Sequence, residues 1–157
     1  MVLDLPEQLI AQAEALLTVS PPNEASIRRA VSTAYYSLFH LLVRDTVANW
    51  REPLDHPRLA RVFEHKQMKA ASISLLADLS KRPMGESGLT LRWVAQAFVD
   101  LQQARHKADY DLSHPFDWRE AEMLVSQART AINDWSYVNA EPIAQRYLYS
   151  LLFRDKT

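Results

Sequence analysis

The strongest constraint in this chain is an unbroken helical period. Ile27, Ala30, Val31, Ala34, Tyr35, Leu38, Leu41 and Leu42 recur at i, i+3, i+4 and i+7. That spacing lays one apolar stripe along a helix, which other elements must cover. Arg28, Arg29, Ser32, Thr33, Ser37, His40 and Arg44 fall largely on the opposite side. Glycine usage decides what kind of element does the covering. Only 2 of 157 residues are Gly, both in residues 84–88. Sheet proteins need many tight turns with Gly or Asn at positive φ, so the partners are helices.

The remaining periodicity supplies them. Leu5, Leu9, Ala13, Leu16 and Leu17 mark a first helix that starts near Asp4 or Leu5, with Pro6 tolerated in its first turn. The prolines of TVSPPN (18–23) end it, and WREPLDHP (50–57) is the next loop. In residues 58–79, Leu59, Val62, Phe63 and Ala70 share one stripe, while Ile73, Leu75, Leu76 and Leu79 are out of phase with it. A kink or two shorter helices is expected there. SKRPMGESGL (80–89) reads as a flexible loop, with Thr90 as the N-cap of the next helix. Along that helix Leu91, Val94, Ala95, Phe98, Leu101, Arg105 and Ala108 share a face, which puts a guanidinium at the core-facing edge.

Asp117 and Glu120 form a D-x-x-E capping signal ahead of a stripe of Trp118, Ala121, Leu124, Val125, Ala128, Ile132 and Trp135. Pro142 interrupts it. Ile143, Tyr147, Leu148, Leu151 and Leu152 then outline a short helix at about 142–153. The expected fold is all-α, an up-and-down bundle of four or five helices in a single domain over residues 1–157.

Composition narrows the function classes. A formal net charge of −1 removes the bulk basic character of a general nucleic-acid binder but leaves room for a local basic patch. With 0 cysteines there is no disulfide framework, thiolate metal site or cysteine nucleophile. The histidines, at 40, 56, 65, 106 and 114, show neither H-x-x-x-H nor H-E-x-x-H spacing, so no metal and no cofactor are expected. The N-terminal MVLDLPEQL lacks a basic segment followed by an apolar run, and no apolar stretch approaches the ~20 residues of a membrane span. A cytoplasmic protein with no membrane association is the expectation.

Two segments carry a family resemblance. SIRRAVSTAYYSLFHLL (26–42) has paired tyrosines followed by Leu-Phe-His, and LQQARHKADYDL (101–112) contains Arg-x-x-Ala-Asp-Tyr within ARHKADY. In this order and spacing they resemble the HEPN superfamily. RVFEH (61–65) and the capped helix at Asp117 sit where related bacterial proteins have similar segments. The resemblance spans roughly residues 26–135. It implies a helical bundle that commonly forms a homodimer. Many members are metal-independent ribonucleases, often toxins of toxin–antitoxin pairs, in which an Arg followed by four to six residues and a His faces its symmetry mate across a cleft. Others are RNA-binding or protein-interaction domains, or helper subunits of a separately encoded nucleotidyltransferase.

Carried onto this chain, the motif Arg is Arg105, and Tyr110 stands at the position of the motif His. A phenol with a pKa near 10 is only about 0.1% ionised at neutral pH, a poor general base. His106 neighbours Arg105 but projects about 100° away around the helix, and His114 lies beyond the helix end in Ser-His-Pro. The tyrosine that toxins of this type carry two residues beyond the motif His falls on Leu112 here.

The resemblance therefore implies an RNA-binding or protein-interaction domain with a cleft of Tyr36, His40, Lys107, Asp109 and His114 around Arg105. A ribonuclease using Arg105 with His106, Tyr110 or His114 is the enzymatic alternative. Arg105 and Asp109 are also an i, i+4 pair that can serve as an intrahelical ion pair, with Tyr110 as a packed anchor. Tyr35 falls on the apolar stripe and reads as core, whereas Tyr36 lines either a cleft or the surface. Arg28 and Arg29 read as a solvated face. Arg58 and His65 form a second pair, set i, i+7 on one helical face, a spacing that chance also produces.

Overall fold

The computed structural model describes residues 4–154; the ends of the expected 1–157 domain lie outside them. The described residues form seven α-helices and no strand: α1 (Leu5–Leu16), α2 (Glu24–Ala48), α3 (His56–Ala60), α4 (His65–Lys81), α5 (Gly85–Tyr110), α6 (Trp118–Val138) and α7 (Pro142–Leu152). A 3₁₀ turn over Pro53–Asp55 leads into α3. The fold is all-α, with more helices than the four or five expected. Side-chain caps set three of the starts. Asp4 accepts from the Glu7 amide (3.2 Å), Asn23 from the Ser26 amide (2.9 Å) and Asp117 from the Glu120 amide (2.7 Å).

Helix α2 is the hub. It packs against α1, α5, α6, α3 and α7, while α4 packs on α5 and α7. Because neighbours surround α2, the side expected to be polar is also buried: Ser32, Thr33, Ser37 and Thr46 lie inside together with Tyr35 and Leu38. Two of the four hydroxyls satisfy themselves locally, Ser37 donating to the Ala34 carbonyl (2.6 Å) and Thr46 to the Leu42 carbonyl (2.7 Å). One continuous apolar cluster joins α1, α2, α4, α5, α6 and α7, with Trp135, Tyr147, Tyr35 and Phe98 as its bulkiest members. Tyr147 places its hydroxyl 2.7 Å from that of Ser72 on α4. A smaller cluster of Ile27, Val31, Ala104, Ala108, Phe116 and Ala121 closes one end.

Residues 58–79 are two helices. α3 ends at Ala60 and α4 begins at His65, and Phe63 in the break turns into the core. Val62 and Ala70 are exposed, so the stripe they share with Leu59 and Phe63 is not a helix face. The buried side of α4 is Met68, Ala71, Ser72 and Leu79. Trp118, expected in the α6 stripe, is 38% exposed and donates its indole N–H to the Leu17 carbonyl (2.8 Å).

The expected flexible loop over 80–89 contracts to residues 82–84, and Thr90 is inside α5 rather than its N-cap. Met84 (φ 60°) and Gly85 (φ 69°) adopt left-handed backbone that reverses the chain in this short space. The first turn of α5 then presses on Pro83: a Cβ on Gly88 would lie 1.9 Å from the Pro83 carbonyl oxygen. At the other end of α5, Arg28 of α2 donates from Nη1 to the carbonyls of Lys107, Ala108 and Asp111 (3.1 Å each) and from Nη2 to that of His114 (2.6 Å). The last carbonyls of a helix have no partner within it, so a cation from a neighbouring helix is a C-cap. Arg28 is thus a clamp rather than part of a solvated face.

Gly88→Ala is expected to destabilise the fold by about 1–3 kcal/mol, because a backbone oxygen has no rotamer with which to yield. Arg28→Met keeps the aliphatic stem and leaves the carbonyls uncapped; a loss of about 2 kcal/mol is expected. Urea unfolding followed by circular dichroism measures both.

Candidate functional site

The break before α4 and the central place of α2 bring together side chains that are far apart in sequence. Arg105, only 7% exposed, lies with its guanidinium carbon 5.3 Å from the centroid of Tyr35 and 5.9 Å from that of Tyr36. Such cation–π contacts offset part of the loss of hydration. Its Nη1 is 3.7 Å from Asp109 Oδ2, a loose ion pair, and Asp109 also accepts from the Ser32 hydroxyl (3.3 Å). Arg105 Nε has no partner, alone among buried side-chain nitrogens and oxygens of the described residues. Buried donors are nearly always paired, so an orphan on a guanidinium marks a place for an acceptor.

His65, the first residue of α4, completes the cluster. Its Nδ1 is 2.6 Å from the Tyr35 hydroxyl, and its ring lies 4.5 Å from Phe39 and 5.9 Å from Tyr36, centroid to centroid. His40 flanks Tyr36 at 6.2 Å. Burial pushes the Tyr35 phenol far above its ordinary value, so it stays protonated. A 2.6 Å separation suits an O–H donor better than an N–H donor. Tyr35 therefore donates to Nδ1, and the neutral ring carries its proton on Nε2. Burial, the Arg105 charge and His40 all hold His65 below the usual imidazole range, and burial does the same to His40. Protonating His65 would also force the Tyr35 hydroxyl to surrender its acceptor.

The expected site residues thus separate. Arg105, Asp109, Tyr36 and His40 belong to one cluster. Tyr110 is 68% exposed rather than a packed anchor, and its ring contact is with the exposed His106, tilted beside it at 5.2 Å, not with the Arg105 cluster. Lys107 lines a different groove, of about 660 Å³, with Asp100, Gln103, Arg119, Glu120 and Met123. His114 sits in the turn after α5, 3.2 Å from Glu120 Oε1 and edge-on to Phe116. Two members of the cluster were not anticipated. Tyr35 is core, as expected, yet it is also the hydrogen-bond partner of His65. His65 does not share a helical face with Arg58, because the helix between them is broken at 61–64. In the sequence His65 stands out through the RVFEH segment and as half of that Arg58 pair. Among the described residues no group of three or more His, Cys, Asp or Glu side chains is placed to hold a metal ion, and no helix is long and apolar enough to cross a membrane.

Histidines held neutral by the fold make stability depend on pH. Unfolded His65 and His40 take up protons as pH falls through the ordinary imidazole range near 6.5, and the folded forms do so only at lower pH. Stability is accordingly full above that range and declines as pH falls through it toward the folded-state values. His65→Asn keeps an acceptor for Tyr35 without a titrating ring, and it is expected to flatten the decline in Tm between pH 7 and pH 5. Comparison with protein-family models, with curated proteins and with solved structures finds no match to this chain.

Proposed function

We propose that this chain is a HEPN-type domain that binds RNA through the face carrying Tyr36, His40, His65 and Arg105. One observation carries the reading: a buried guanidinium set against two adjacent tyrosine rings, with an orphan Nε and only a loose carboxylate partner. A cation in this state gains from a phosphate oxygen, and the half-buried Tyr36 ring beside it offers a face on which a base can stack. The HEPN resemblance of residues 26–42 and 101–112 supports the same choice. A homodimer belongs to this reading too, with the exposed Tyr110 and Leu112 as apolar surface beyond the helix end.

A ribonuclease is the second reading, favoured by the proximity of a histidine to Arg105. That histidine is His65, not His106 or His114. Its tautomer weighs against cleavage, because the ring's one lone pair, on Nδ1, is taken by Tyr35. His65 can donate from Nε2 to an oxygen but is not free to take the proton of a ribose 2′-hydroxyl.

Fluorescence anisotropy with a labelled single-stranded RNA is expected to show salt-sensitive binding. Arg105→Gln is expected to weaken it about tenfold or more, and Tyr36→Ala about tenfold, without change in helical content. Unaltered affinity in both folded variants refutes the interface. Cleavage products that vanish in His65→Asn establish the ribonuclease instead.

A further inference from the structure

The break at residues 61–64 does more than deliver His65 to Arg105. It also places a helix N-terminus there. α4 has 17 residues, and its N-cap residue Glu64 makes no side-chain hydrogen bond to the first turn. The leading amides of such a helix point outward along its positive end. The first turn has no acidic residue and carries the exposed Lys66. Second, and independently, Arg105 is nine-tenths buried with an unpartnered Nε, and it stands over the Tyr35 ring whose hydroxyl holds His65.

We propose that the N-terminus of α4, His65 Nε2–H and Arg105 together form a site for one phosphate-like oxyanion, and that occupying it draws a proton onto His65. The phosphate-like class follows from the donors: helix amides, an imidazole N–H and a guanidinium all seek oxygens of a compact anion. Proton uptake follows from the neighbours.

The groups facing His65 are Tyr35, Tyr36 and His40 from α2 and Arg105 from α5, with Asp109 beyond Arg105. On its own segment Glu64 is turned toward Arg154, at 4.0 Å. Positive charge from Arg105 and the helix end opposes an imidazolium, and a bound anion removes that opposition. By linkage, whatever makes His65 easier to protonate is itself bound more tightly when His65 is protonated. The inference rests on the RNA-binding reading for its biological ligand, but the anion site stands or falls on its own.

Sodium sulfate is the probe, because it does not titrate between pH 5 and pH 8. Histidine ring resonances of the purified protein are followed by NMR, His65 being assigned by its loss in His65→Asn, with sodium chloride at equal ionic strength as the reference. Sulfate is expected to raise the pH at which His65 titrates, and to bind about tenfold more tightly at pH 5.5 than at pH 8. His65→Asn is expected to lose that pH dependence, and Arg105→Gln to lose binding. Should Arg105→Gln not fold, Lys66→Glu, on the exposed first turn, is expected to weaken binding severalfold. His65 resonances indifferent to sulfate, or Lys66→Glu binding as tightly as the unaltered chain, overturn the site. Single-stranded RNA that displaces sulfate from His65 identifies the anion as an RNA phosphate. Sulfate binding that RNA cannot displace keeps the site and removes the RNA reading.

Discussion

Everything in this fold is arranged around a helix that has almost no outside. α2 packs against five other helices and reaches the sixth, α4, through Tyr35 and His65, so it tolerates neither a charged middle nor bulky side chains all round. Its solution is small residues: Ala30 and Ala34 within the stripe of Tyr35, Leu38 and Leu42, and Ser32, Thr33 and Ser37 beside it. Hydroxyls are admissible there because a short side chain can return its proton to the preceding turn of the same helix. The pattern that announces α2 as amphipathic is therefore only half of its chemistry. Its polar side is polar enough to look solvated and small enough to be buried.

That distinction explains what was legible in the sequence. Helices α1, α2, α6 and α7 follow from apolar spacing, with Asp4 or Leu5, Asp117 and Pro142 near three of their starts; the Asn23 cap of α2 emerges only from the structure. Residues 58–79 do form two helices, as expected, but the phase shift after Ala70 lies inside the continuous α4, and the break at 61–64 falls within the first stripe. The start of α5 was not visible. Gly and Pro ordinarily mark a loop, and here Pro83, Gly85 and Gly88 build a tight reversal whose closeness depends on what the chain packs against. Trp118 fits the α6 stripe by spacing, but at a helix start it bonds to the Leu17 carbonyl instead.

The candidate site was legible in part for a similar reason. Arg105 at a core-facing edge was evident from the α5 stripe, and Tyr36, His40 and Asp109 fell to its side. His65 stood out only as a partner of Arg58, because its tie to Tyr35 depends on how two separate helices cross. Lys107 and His114, close to Arg105 in sequence, point elsewhere once helix rotation and the turn at 111–117 are taken into account. Two arginines near the same helix end thus have opposite fates. Arg28 is saturated by four carbonyls, and Arg105 lies against two adjacent tyrosines with a nitrogen unspent.

The saturation of Arg28 has a consequence for how this chain tolerates rearrangement. The turn at 111–117 has the outward marks of a permissive connection: it is short, largely exposed and rich in Asp, Ser and Pro. Its carbonyls at Asp111 and His114 nevertheless belong to the same guanidinium that closes α5. Splicing a tag into this turn, or opening the chain here for circular permutation, separates acceptors that a single side chain holds in register. The connection at 17–23 offers no such tie at its Pro21-Pro22 tip, and it is the more forgiving place to cut.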